Sequence, residues 1–440
     1  MSFHVRQDET LSPEGLAKLQ RAKLARVLDE AARGSRFYQI KWDGLDLEAI
    51  GRAATAEAAL GLLPLTTRSE LQQDQLAAPP FGTILTQPVN QYTRLHQTSG
   101  SMGVTLRFID RPEDWAWWKH CWSIVYRAGG LTPEDRCVFP FSFGPFVGFW
   151  AAFEAAAAMG NLCLPAGGMT TRARLDYLLA NEATFVCCTP TYALRMAEVA
   201  REAGIDLAAS RVRALIVAGE PGGSIPATRE RIESEWGARV LDHAGMTEVG
   251  PYAFECIEAP GGMHVTESEF IAEVIDPHSL KPVAAGHPGE LVLTNLGRLG
   301  CPLIRYRTGD LVQLVRGRCA CGRSFARLVG GILGRIDDMV TIRGNNVFPG
   351  AIEAILREHP GIVEFQLQAL TDGALAELRI DLEPSPGMDV SELPEAVARA
   401  VKDRLNFRPT VRLVAPGSLP RFEMKAKRWI RTSGNVENVE

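Results

Sequence analysis

The sequence predicts an α/β protein with a large N-terminal domain of mainly parallel sheets, a small β subdomain, and a small α+β domain at the C-terminal end. Three observations predict it. Two apolar runs, ATFVCCTP (183–190) and RVRALIVAGE (211–220), are short, rich in β-branched residues and separated by a helical pattern over 192–203, as buried parallel strands with a helical crossover are. From Gly289 the runs GELVLTNL and DLVQLVRG read as shorter antiparallel strands. Past Pro349 come a short helix (351–359), the strand-like runs FQLQALT and AELRIDLEP, a helix over 393–405 and a last strand, TVRLVA. That set has the size of a compact α+β unit.

In chain order, Ser12 and Pro13 open an amphipathic helix that ends near Gly34, with proline at the first helical position. FSFGPF (141–146) sets three aromatic rings at the end of a strand, where they can pack against a planar ligand. The apolar stretch 147–160 is too short to span a bilayer and contains Glu154. AGEPGG (218–223) and DHAGMTE (242–248) fall at successive strand ends, which is where α/β sheets carry functional loops. No internal repeat interrupts this order.

Composition narrows the partners. With 46% hydrophobic residues in 440, large cores are expected, and a net charge of -5 without a basic block speaks against nucleic acid. A small molecule is the expected partner, and a homodimer is compatible with the sequence. The N-terminus has no apolar core behind basic residues, and nine cysteines are scattered without a disulfide framework. A reducing, cytoplasmic location with no membrane association follows as the expectation.

Four stretches carry chemistry. TSGSMG (98–103) offers hydroxyls and unobstructed amides to phosphate oxygens, without the lysine of a Walker loop. Asp310, after Gly309 in RYRTGD, is expected at a strand-to-turn junction, where a carboxylate accepts from both hydroxyls of a ribose. Arg335 adds a cation near that sugar or its phosphate. Cys256, His264, Cys319 and Cys321 supply three thiolates and one imidazole, a set that suits tetrahedral zinc if the two segments meet.

The order TSGSMG, AGEP, GMTE, RYRTGD, GRIDDMVTIRGNNVFP and LPRFEMKAKR resembles the adenylate-forming enzymes, most closely the phenylacetate-CoA ligase branch, over roughly residues 91–428. The resemblance implies an adenylation domain (1–335) and a mobile C-terminal domain (336–440). Together they activate a benzoate- or phenylacetate-like acid with ATP and Mg2+ as an acyl-AMP, then pass the acyl group to coenzyme A. The alternatives are transfer to an amine, hydroxyl or carrier-protein thiol, and a non-catalytic adenylate-binding protein.

It further implies that Glu248 binds Mg2+, that the Thr247 hydroxyl lies near the α-phosphate, and that Lys425 bridges carboxylate and phosphate, with Lys427 its close competitor. Nucleotide contacts are expected from Thr98, Ser99, Gly100, Ser101 and Gly103, from Gly219, Glu220 and Pro221, from Asp242 through Met246 (Asp242, His243, Ala244, Gly245, Met246), and from Asp310 and Arg335. Phe141, Phe143, Gly144 and Phe146, with Ala218 and Gly245, are expected to line an aryl pocket. Asp337 is the expected hinge, and Gly344 is expected to line a tunnel for pantetheine. Some relatives carry zinc on residues like the Cys/His set, which implies a structural Zn2+. The chain departs from the family pattern at Ala244, where a tyrosine usually stacks on adenine and His243 is the expected substitute. It departs also at Val104 and Thr105, for lysine and proline, and at Met424, for glycine.

Overall fold

A computed structural model describes residues 2–98, 105–342, 345–370, 376–388, 390–423 and 425–432. The first long helix runs Pro13–Gly34, with the Ser12 hydroxyl accepting from the Gly15 amide at 3.1 Å, as a cap should. It buries Leu16, Leu24, Val27 and Ala31 along one face. Gly34 is required by closeness, because a Cβ there would collide with the Thr86 carbonyl.

Strands β1 (Arg94–Gln97) and β2 (Arg107–Asp110) form an antiparallel pair beside the helix Pro112–Ala128. That helix buries Trp115, Trp117, Trp118 and Trp122. The central sheet follows. β3 (Arg136–Phe139), β4 (Leu162–Pro165), β5 (Phe185–Cys188), β6 (Ala214–Ala218) and β7 (Arg239–Met246) are mutually parallel. β8 (Gly250–Phe254), β9 (Gly262–Val265), β10 (Phe270–Ile275), β11 (Pro288–Asn295), β12 (Tyr306–Val315) and β13 (Arg327–Arg335) are antiparallel to their neighbours. The order is β10-β11-β12-β13-β9-β8-β7-β6-β5-β3-β4. The antiparallel strands expected as a subdomain therefore hydrogen-bond onto the parallel ones through β7 and β8, in one mixed sheet.

The small domain holds β14 (Val340–Ile342) paired with β15 (Asn345–Val347), and a sheet of β16 (Ile362–Leu370), β17 (Glu377–Pro384), β18 (Thr410–Leu413) and β19 (Trp429–Thr432) in the order β18-β17-β16-β19. Its helices, Pro349–Arg357 and Leu393–Leu405, pack Ile352, Ile355, Leu356, Val397 and Val401 into a separate apolar cluster. The last strand is β19 and not TVRLVA. Four residues after a basic stretch carry no strand pattern of their own, and β19 forms by parallel pairing with the edge of β16.

Candidate active site

Glu248 follows β7 and is 6% exposed. A wholly buried guanidinium holds its backbone: Arg298 Nη1 donates to the carbonyls of Thr247 (3.0 Å) and Glu248 (2.8 Å), while Nε and Nη2 reach Asp110 at 2.6 and 2.9 Å. The Glu248 carboxylate accepts from Arg68 Nη1 at 2.6 Å, and Arg68 Nη2 reaches Thr98 Oγ1 at 3.1 Å. Thr98 also accepts from the Leu106 amide at 3.0 Å. Arg68 escaped the sequence reading. Its signal was there, because Thr67 and Glu70 form a capping box that puts Arg68 on the first turn of helix Arg68–Ala77.

Asp310 lies inside β12, and not at the expected strand-to-turn junction. Pairing with β13 carries the strand past Gly309, whose φ of +75° and the nearby register shift supply the bend instead. Asp310 faces Arg335 across the two strands and accepts from its Nη1 at 2.9 Å and from the Tyr252 hydroxyl at 3.0 Å. A Cβ on Gly309 would sit 2.8 Å from Arg335 Nη2, so glycine lets the guanidinium cross the strand. Burial pushes the Asp310 carboxyl up to about 6. Arg335 also holds Asp337, at 3.0 Å.

Residues 242–246 belong to β7 itself, which extends past the expected strand end because β8 pairs with its second half. Asp242 is buried against Gly223, where a Cβ would meet its carboxylate at 2.6 Å, and it accepts from the Ser224 hydroxyl at 2.5 Å. Burial pushes its carboxyl up to about 7. His243 turns into the core: its ring lies 4.3 Å from Trp122, Nδ1 pairs with the Ala253 carbonyl at 2.8 Å, and burial lowers it to about 4. The ring is thus neutral at pH 7 and occupied by core contacts. Ala244 is buried, Gly245 is exposed and Met246 is half-buried.

At the end of β6, Ala218 is half-buried, and after it Gly219 and Pro221 are exposed. Glu220 Oε1 accepts from the Thr191 amide at 2.9 Å, and Oε2 from the amide of Ala426, in the small domain, at 2.7 Å. Arg428 Nη1 adds a bond to Thr191 Oγ1 at 3.2 Å. This docking leaves exposed Lys425 so close to Gly219 that a Cβ there would sit 3.3 Å from Lys425 Cε. Lys427 is exposed as well.

The FSFGPF loop follows β3. Phe141 and Phe143 lie 4.6 Å apart, Phe143 is 4.6 Å from Trp150, and the Gly144 carbonyl accepts from Trp150 Nε1 at 3.0 Å. Phe146 covers Gly144, where a Cβ would meet its ring at 2.9 Å. The Gln97 amide donates to Pro145 at 2.7 Å, which ties this loop to the strand leading into Thr98. Phe143 and Phe146 are half-buried. Ser99, Gly100, Ser101, Gly103, Val104, Gly344 and Met424 lie outside the described residues.

Cys256, His264, Cys319 and Cys321 converge with their ligand atoms within 4.8 Å of one another, all buried. The Cys256–Cys319 sulfurs are 3.8 Å apart, and His264 Nε2 is 3.5 Å from Cys321 Sγ. Tetrahedral zinc with its usual bond lengths has edges of about 3.8 Å between sulfurs and about 3.6 Å between sulfur and nitrogen. His264 Nδ1 lies 3.2 Å from the Phe325 carbonyl, which orients Nε2 toward the cluster.

Asp310 is thus held beside Arg335 in the sheet, Glu248 is joined through Arg68 to Thr98, and Lys425 of the small domain lies against Gly219. Two family models match: the AMP-binding enzyme model over residues 116–297 and the AMP-binding enzyme C-terminal domain model over residues 344–432. The class is that of the adenylate-forming enzymes.

The chain is 30% identical to a phenylacetate-coenzyme A ligase of Thermus thermophilus over 94% of its own length and 96% of that protein's. It is likewise 30% identical to one of Escherichia coli, covering 96% and 95%. The chain belongs to the phenylacetate-coenzyme A ligase family of AMP-forming acid–CoA ligases. Among solved structures, 2-hydroxyisobutyryl-CoA ligase in its postadenylation state with 2-HIB-AMP aligns at a TM-score of 0.91, with 30% identity and coverage of 98% and 92%. The same enzyme in its thioesterification state aligns at 0.72, covering 97% and 91%.

Proposed function

We propose that the protein joins an aromatic carboxylic acid of the benzoate or phenylacetate type to coenzyme A through an acyl-AMP. The observation that carries this reading is the approach of Lys425 to the Gly219–Glu220 loop. A carboxylate oxygen of the acid attacks the α-phosphorus of ATP and pyrophosphate leaves. The thiol of coenzyme A then attacks the acyl carbon and AMP leaves.

Lys425 places an ammonium group where charge builds on carboxylate and phosphate, the arrangement that most lowers such a barrier. Asp310 takes the ribose hydroxyls, with Arg335 fixing its orientation. Glu248 is the ligand for Mg2+, which supplies charge neutralisation of the phosphates, and the Thr247 hydroxyl lies by the α-phosphate. Arg68 guards that carboxylate and Thr98. Phe141, Phe143 and Phe146 take the aryl ring, and the half-buried state of the last two supports this. Ala244 leaves room above the adenine plane, and the burial of His243 argues that the base is held without a stacked ring.

The domain boundary falls at 335/336, with Asp337 as the hinge for the second half-reaction. Its contact with Arg335 gives the hinge a stop in the present arrangement. The Cys/His cluster holds a structural zinc, supported by its edge lengths. The nine cysteines are free, which fits a reducing cytoplasm, and among the described residues no helix is long and apolar enough to cross a membrane.

The test is pyrophosphate exchange with a panel of aromatic and aliphatic acids, followed by mass spectrometry of the products with and without coenzyme A. Exchange with aryl acids and an acyl-CoA product are expected. Preference for aliphatic acids removes the aryl pocket, and acyl-AMP that accumulates despite coenzyme A removes the thioester step.

A further inference from the structure

Beside the contact at Glu220 lies a cavity whose walls come from both domains. The large domain contributes helices Pro190–Glu202 and Pro226–Trp236. The small domain contributes the end of helix Pro349–Arg357, the start of β16 and Arg421, Phe422 and Arg428. Six arginines and three glutamates line it, so cations are in surplus.

Four of those arginines are paired. Arg195 meets Glu198 at 2.6 Å, Arg201 meets Glu235, Arg421 meets Glu383 and Glu198, and Arg428 binds both oxygens of Glu364, at 2.6 and 3.0 Å. The other two have fewer acceptors. Half-buried Arg231 donates to the Ile362 carbonyl at 3.0 Å, and among the described residues no carboxylate pairs with it. Arg357 is 7% exposed, its nearest paired carboxylate is Glu353 at 3.6 Å, and its Nε finds no hydrogen-bond partner among the described residues. Burial, with the charge of Arg428 added, lowers its pKa to about 10.

A buried guanidinium without a full set of acceptors is costly, and a planar fork of donors matches a phosphate or sulfate oxygen pair. The cavity volume is about 40 Å³, room for roughly three waters or one compact oxyanion. We infer that this cavity binds a tetrahedral oxyanion of the inorganic phosphate class, held by Arg231 from the large domain and Arg357 from the small one. The anion thereby joins the two domains in their docked arrangement. Thr191 and Arg428 belong both to the cavity lining and to the docking contact at Glu220, whereas Arg231 and Arg357 touch no residue assigned to the nucleotide, and the inference stands whatever acid the enzyme activates.

The experiment is thermal unfolding and 31P NMR titration of the full chain with inorganic phosphate, against chloride at matched ionic strength. Wild-type protein should show saturable binding and a rise in Tm that chloride does not reproduce. Arg231→Gln and Arg357→Gln should each weaken phosphate binding at least tenfold. Arg231 is half-buried on a helix of the large domain, so R231Q carries the test alone should R357Q fail to fold. An equal rise in chloride, or wild-type phosphate affinity in a folded variant, overturns the assignment.

Discussion

Removing metal from the Cys/His cluster should loosen the large domain measurably. Cys256 follows β8, His264 lies on β9, and Cys319 and Cys321 lie between β12 and β13, so one ion there would tie two connections and a strand of the central sheet. Arg323, two residues beyond Cys321, is buried on Glu9 at 2.7 Å and reaches the Ser2 carbonyl at 2.9 Å. Such a staple would reach the N-terminal segment as well. With free zinc a thousandfold above its dissociation constant, binding contributes about 4 kcal/mol. At about 2–4 °C per kcal/mol for domains near 200 residues, and somewhat less for a larger one, chelation should lower Tm by roughly 5–15 °C. The assay is elemental analysis of protein purified without chelator, then scanning calorimetry before and after dialysis against dipicolinate. One zinc per chain is expected. Cys321→Ser should lose the metal, and Cys301→Ser, a buried thiol outside the cluster, should keep it. Protein that lacks zinc as purified, or an unchanged Tm after chelation, refutes the reasoning.

Lys425→Ala should slow acid-dependent pyrophosphate exchange about 10²–10³-fold and leave thioester formation from preformed acyl-AMP nearly unchanged; equal slowing of both half-reactions would remove the lysine from adenylation. Glu220→Gln weakens the charged acceptor for the Ala426 and Thr191 amides, worth about 1.5–3 kcal/mol, so exchange should fall about tenfold or more with thioester formation spared, as stopped-flow assays of each step would read. Asp310→Asn should raise the KM for ATP about tenfold or more with a smaller change in kcat, and an unchanged KM would free Asp310 from the ribose. Asp242 has its carboxyl raised from the ordinary 3.8 to about 7. The folded chain thus keeps a proton that the unfolded chain releases, and stability present below about pH 4 is lost as pH rises through 7. Asp242→Asn should therefore be more stable than wild type at pH 8, by up to about 4 kcal/mol, with the gap closing toward pH 4; a gap constant with pH in urea unfolding would refute the shift.

What the sequence disclosed and what it hid divide along a physical line. β5, β6 and their crossover helix were legible because a strand buried on both faces must be apolar throughout, and the helix over 393–405 because its periodicity is closed by a left-handed residue, Asn406, at φ +63°. The second half of β7 was not legible, since Ala244, Gly245 and Met246 have no strand preference and take their conformation from β8. In the site, Asp310, Glu248 and Glu220 stood out because each lies in or beside a glycine-bearing turn motif. The donors that hold them did not. Arg68 lies 180 residues from Glu248, Tyr252 lies 58 from Asp310, and the Ala426 amide lies 206 from Glu220. Each donor sits in an element that local rules explain without any site: a capping box, a strand interior, a basic tail. An acceptor beside a glycine motif advertises itself locally, whereas its donor is specified only by the strand order and the domain docking that bring it there.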